Sequence, residues 1–62
     1  GRSCKIGKDA LIENCIIMPD VVIADGAHLK NVIVDKHSRI AKKKDLAGLE
    51  EQPLYIGRRE NV

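Results

Sequence analysis

The chain has 62 residues, 44% of them hydrophobic, and a formal net charge of +2 from eleven basic and nine acidic side chains. That length allows one small domain or a piece of a larger one, and the interspersed charge gives no reason to invoke nucleic acid or an anionic membrane. Two cysteines without a Cys/His set at zinc spacing exclude a metal-stapled mini-domain, and apolar runs no longer than the four residues of "CIIM" or "VVIA" exclude a membrane span or a signal-peptide core.

From residue 4 onward the chain advances in short steps, each ending on an aliphatic: Ile6, Ile12, Ile17, Ile23, Leu29, Val34 and Ile40. Intervals of five and six fit neither a helix face, which recurs at three and four, nor a single strand face, which recurs at two. Two residues before each aliphatic stands a compact side chain: Cys4, Ala10, Cys15, Val21, Ala27, Val32 and Ser38. Residues two apart in a strand share a face, so every step predicts a very short strand with one compact and one large residue pointing inward. Between the steps lie Lys8-Asp9, Asn14, Pro19-Asp20, Asp25-Gly26 and Asn31, which suit corners that need local hydrogen bonds or positive φ.

Offset by 17 residues, "IGKDALIENCIIMPDVV" lies over "IADGAHLKNVIVDKHSR", with identities at Ile6/Ile23, Ala10/Ala27, Asn14/Asn31 and Ile16/Ile33. A third copy begins as "IAKKKDL" and decays. Three strands and three corners per repeat make a triangular prism, and stacked turns pair each strand with its copy in the next turn. The fold predicted is all-β, a parallel β-solenoid.

The coils are expected over residues 1–41. In the third copy the compact inward place falls on Lys44, and burying an unpaired lysine is costly. The coil is therefore expected to open near Ala41, leaving 42–62 as a solenoid exit and irregular tail. At most one extended stretch is expected there, around Leu54 to Ile56, and Pro53 limits any helix. About two coils are few for a solenoid, and Gly1 falls in mid-coil, so further coils are expected before Gly1 in the native chain.

The outward positions read Lys5, Val22 and Arg39 on one face and Leu11, His28 and Asp45 on a second. On the third they are Ile16 and Ile33, aliphatics aimed away from the core. With Leu11, Met18 and Val22 they form a candidate interface patch, set against ordinary β-propensity on a solvated strand. His28 and His37 fall on different corners in this assignment and are too few for a three-histidine metal site, so they read as exposed turn residues. His28 is the only candidate for an acyltransferase base, and nothing nearby is expected to orient it. Cys4 and Cys15 read as reduced core thiols, and Asn14 and Asn31 as stacked left-handed corners. Lys42 to Lys44, without an aromatic platform, read as a solvated stop rather than an RNA or phosphate patch. The outward rows also lack the threonine ladder of an ice-binding solenoid.

The spacing resembles the hexapeptide repeat, which implies a left-handed parallel β-helix. "NCIIMPDVVI", "NVIVDK" and "EEQPLYIG" further resemble the C-terminal β-helix of bacterial ADP-glucose pyrophosphorylase (glucose-1-phosphate adenylyltransferase), nearest the D-type regulatory subunit of glycogen biosynthesis. The resemblance implies a cytoplasmic parent that makes ADP-glucose and diphosphate from ATP and glucose 1-phosphate with Mg²⁺. It places the nucleotidyltransferase domain upstream, outside this chain, so no catalytic residue, metal ligand or cofactor is expected here. Partners implied are the parent's own catalytic domain and other pyrophosphorylase subunits in a hetero-tetramer, with no nucleic acid and no membrane. In "VDK", Lys36 matches a basic residue that contributes to the effector phosphate site of catalytic-type subunits; the other account is a solvated corner lysine. The alternative parent is a trimeric hexapeptide-repeat acyltransferase.

Overall fold

The structure, a computed structural model, describes residues 3–62; the first two positions of the expected coil region, Gly1 and Arg2, lie outside the described residues. Among the described residues nine strands follow one another: β1 (Lys5–Ile6), β2 (Leu11–Glu13), β3 (Ile16–Ile17), β4 (Val22–Ile23), β5 (His28–Lys30), β6 (Val32–Val34), β7 (Arg39–Ile40), β8 (Asp45–Ala47) and β9 (Leu54–Ile56). They form three parallel sheets, β1-β4-β7, β2-β5-β8 and β3-β6-β9, called here the first, second and third faces. Every third strand joins the same sheet, so the chain winds through the three faces in turn.

The pairing register sets like on like. Ile6, Ile23 and Ile40 align in one ladder, Ile12, Leu29 and Leu46 in the second, and Ile17, Val34 and Ile56 in the third. The compact residues Val21, Ala27, Val32 and Ser38 are fully buried beside them. Buried Ser38 keeps its hydroxyl satisfied: Oγ donates to the Gly57 carbonyl at 2.6 Å and accepts from the Glu60 amide at 3.3 Å. A small residue with a donor fits where an aliphatic would leave the turn at Gly57 unpaired.

The corners are built as their composition demands. Asp9, Gly26 and Lys43 take positive φ at one edge of the prism, Asn14 and Asn31 at the second, and Ser3, Asp20, His37 and Arg59 at the third. Asn14 and Asn31 hold the left-handed conformation at φ 52° and 55°, and they also form a side-chain ladder. Asn14 Nδ2 donates to Asn31 Oδ1 at 2.6 Å, and Asn31 Nδ2 to the Gly48 carbonyl at 3.3 Å.

The expected exit near Ala41 is corrected. Strands β8 and β9 continue the second and third sheets, giving a third coil over residues assigned to an irregular tail. Lys44 does not end the coil because its side chain is exposed. Among the described residues no strand stacks beyond β8, so the lysine stem can leave toward water while its carbonyl still accepts from His28 N at 2.7 Å.

The third copy looked decayed because it is longer. Ile16 pairs with Ile33, 17 residues on, but Ile33 pairs with Tyr55, 22 on. The extra residues sit at the corner between β8 and β9, where Leu49 and Gln52 exchange two backbone hydrogen bonds, both 3.1 Å, around Glu50-Glu51. Gly48 permits this: a Cβ there would collide with the Leu54 amide and the Asn31 carbonyl. At the chain's end Asn61 bridges to Arg39. Val62 donates to the Arg39 carbonyl and accepts from the Ala41 amide, and Ile40 lies buried beneath.

Candidate functional site

The interface residues expected from the sequence divide among the faces. Val22 lies in the first, Leu11 in the second, and Ile16 and Ile33 in the third, with Met18 just past β3 and half-buried. Only Ile16 and Ile33 share a row, and the register adds Tyr55 to it. Ile16 is 60% exposed and Tyr55 57%, so the third face carries an outward apolar row through all three coils. Tyr55 was missed because the longer third coil hides its register. Its signal was present in the triplet Leu54-Tyr55-Ile56, which repeats the pattern of Val32-Ile33-Val34.

A polar clasp fixes the end of this row. The Tyr55 hydroxyl donates to Asp35 Oδ2, and Lys36 N donates to Asp35 Oδ1 at 2.7 Å. The hydrogen bond from Tyr55 does most to hold the Asp35 carboxyl below its usual range, followed by the Lys36 amide; the charges of Arg58 and Lys36 add to this. The same bond raises the Tyr55 phenol above its usual value. Lys36, the candidate phosphate residue, is exposed at this corner, and its carbonyl accepts from Arg59 N at 3.0 Å. The structure thus sets Lys36 beside Arg58 and Arg59, a cationic corner that the linear sequence separates by about a coil.

The second face differs in chemistry. Its outward rows are Leu11, His28, Asp45 and Glu13, Lys30, Ala47. His28 is on strand β5, not on a corner as expected, and Asp45 Oδ1 lies 3.1 Å from its Nδ1. The expectation that nothing nearby orients His28 is therefore corrected: a carboxylate one coil away holds this imidazole and leaves Nε2 open. Lys30 Nζ lies 3.8 Å from Glu13 Oε2, and the four side chains border a shallow cleft of about 360 Å³. His37 does occupy a corner, with Nδ1 3.9 Å from Asp20 Oδ2.

Among the described residues no group of three or more His, Cys, Asp or Glu side chains is placed to hold a metal ion, and no helix is long and apolar enough to cross a membrane. Cys4 and Cys15 are half-buried, pack against the core and are not disulfide-linked. Their thiols donate to the Met18 and Glu13 carbonyls, each at 3.1 Å.

The model of the family described as GlmU-like, C-terminal hexapeptide matches residues 1–52. Comparison with curated proteins and with solved structures gives no match. Three parallel sheets wound into a prism are the left-handed parallel β-helix of hexapeptide-repeat proteins, found in the C-terminal regions of acyltransferases and nucleotidyltransferases. The matched residues span the first two coils and most of the third, and on that ground the chain belongs to the GlmU-like, C-terminal hexapeptide family.

Proposed function

We propose that this β-helix serves as the C-terminal association domain of an ADP-glucose pyrophosphorylase, of the D-type regulatory subunit in glycogen biosynthesis, and works through its surfaces without chemistry of its own. The observation that carries this reading is the outward row Ile16, Ile33 and Tyr55 on the third face, exposed at Ile16 and Tyr55 and half-buried at Ile33. A repeated apolar row on a rigid sheet supports docking against a catalytic domain or a neighbouring subunit. The pyrophosphorylase assignment is supported by "NCIIMPDVVI", "NVIVDK" and "EEQPLYIG". Under it the parent is cytoplasmic and hetero-tetrameric, and its Mg²⁺ is bound by the nucleotidyltransferase domain. Lys36, beside Arg58, is then the residue to test for an effector phosphate.

The test is assembly of the parent enzyme carrying Ile16→Lys with Ile33→Lys. Sedimentation is expected to show loss of the tetramer while circular dichroism shows the coil intact. Unchanged assembly would remove the docking reading. Failure of the parent to make ADP-glucose from ATP and glucose 1-phosphate, with its partner subunit present, would remove the pyrophosphorylase assignment.

A second reading, the end of a trimeric acyltransferase, is favoured by one observation, the His28–Asp45 pair beside an open cleft. A carboxylate on Nδ1 positions Nε2 as a general base. Acyl-CoA-dependent transfer by the parent that is lost in His28→Ala would select this reading; transfer unaffected by His28→Ala would exclude it.

A further inference from the structure

On the second face an imidazole, an ammonium and an apolar wall border the same shallow cleft. His28 and Lys30 stand two apart on β5, so both point outward, about 6.6 Å apart at Cα, twice the strand rise. Each meets a carboxylate from a different neighbouring coil. Asp45 Oδ1, from the coil after, lies 3.1 Å from His28 Nδ1, and Glu13 Oε2, from the coil before, lies 3.8 Å from Lys30 Nζ. A carboxylate beside Nδ1 favours the tautomer that carries its proton there, which leaves the lone pair of Nε2 free. Leu11 stands beside His28 in the preceding coil and is 63% exposed. Ala47, beside Lys30 in the following coil, leaves that end of the cleft open.

These are the parts that acyl hydrolysis needs: a nucleophile, a cation where negative charge develops on the carbonyl oxygen, and a surface for the acyl chain. Two carboxylates against one ammonium suit an uncharged ester better than a polyanionic donor. We propose that the second face hydrolyses uncharged carboxylic esters of acidic alcohols, with His28 as nucleophile, Lys30 at the oxyanion, Asp45 as the positioning residue of His28, and Leu11 against the acyl chain. The Nε2 lone pair attacks the carbonyl carbon; the C–N bond forms, the ester C–O bond breaks, and the alcohol leaves as its anion with that electron pair. The Nδ1 proton passes through solvent to the alcohol anion, leaving a neutral N-acyl imidazole. Water then adds at the acyl carbon, the C–N bond breaks back onto the ring, and the carboxylic acid departs as Nδ1 regains a proton. The sum is ester and water to acid and alcohol. This goes beyond both readings above: it uses neither acyl-CoA nor a second copy of the chain, and association through the third face needs no such chemistry.

The experiment follows release of p-nitrophenol from p-nitrophenyl acetate and p-nitrophenyl hexanoate by the 62-residue chain, against free imidazole at the same concentration. The chain is expected to exceed imidazole roughly tenfold, a modest gain because the His28 side chain is 52% exposed and water screens the site. Intact mass of quenched samples should show one added acyl group, mapped to His28. His28→Ala should remove the excess rate, whereas His37→Ala, at a corner outside the cleft, should leave it. Lys30→Met should lower kcat roughly tenfold, with Lys30→Arg recovering most of the loss. Asp45→Asn should lower kcat with KM unchanged, and Asp45→Glu should restore part of it. Leu11→Ala should raise KM for the hexanoate more than for the acetate. Hydrolysis by the unaltered chain no faster than imidazole overturns the proposal, and that comparison needs no variant to fold. An excess that survives His28→Ala, or acyl groups found on lysines or His37 instead of His28, overturns it equally. None of these outcomes bears on the parent-assembly test, which reads the third face.

Discussion

Tyr55 and Asp35 show how one hydrogen bond between neighbouring coils ties stability to pH at both extremes. Asp35 has its carboxyl lowered from 3.8 in the fold, so its contribution is present above that value and is lost as pH falls through the lowered one. Tyr55 has its phenol raised from 10.0, so its contribution is present below that value and is lost as pH climbs through the raised one. Tyr55→Phe is expected to flatten the melting-temperature profile on both flanks while leaving the neutral plateau nearly level; both groups are exposed, so the change is small. A profile that keeps its full slope at both ends would count against the pair. Leu29 belongs to the opposite regime, buried in the middle coil. Leu29→Ala should cost about 2–5 kcal/mol, enough to abolish a cooperative melt in a domain this small. Ile6→Ala, at a residue 48% exposed, should cost less than about 2 kcal/mol.

At the level of the strand, the first seven steps were legible because each carries its own evidence: an aliphatic, a compact partner two before it, and a turn former between. Their strands and corners stand where that pattern set them. The last two strands were not legible as coil, for two physical reasons. Lys44 contradicts the inward pattern only if something covers it, and among the described residues no strand stacks on β8 to do so. The longer corner before β9 shifts Tyr55 out of the 17-residue phase, so the third row of the candidate interface was invisible to an offset comparison. The 17-residue register already set His28 and Asp45 in one outward row, but their contact needs β8 in place, which an exit at Ala41 does not supply. Gly48 is the hinge of this element, and the clash of an added Cβ is with backbone on both sides. Gly48→Ala should detach β9 from β6, seen as faster amide exchange over Leu54–Ile56 with β4 and β5 unchanged; slow exchange there would show that the corner can absorb the methyl.

The described residues form a stack of coils whose two ends are packed unequally. The middle coil is buried on both sides, and Val62 covers Ile40 at one end. At the other, β1, β2 and β3 are the outermost strands of their sheets, and Ile6 and Ile12 are exposed. Local opening follows packing, so amide exchange should be fastest in β1 to β3 and slowest in β4 to β6; uniform exchange would mean that the coils open only together. The corner between β8 and β9 has a wider consequence. It takes five more residues than the equivalent corner one coil earlier, yet all three ladders keep their alignment. Widening a flexible loop costs only about 0.6 kcal/mol per doubling of its length, whereas an extra residue within a strand would turn its side chains to the opposite side. Foreign peptides could therefore be displayed at the prism's edges, while its flat sides tolerate changes of letter but not of length.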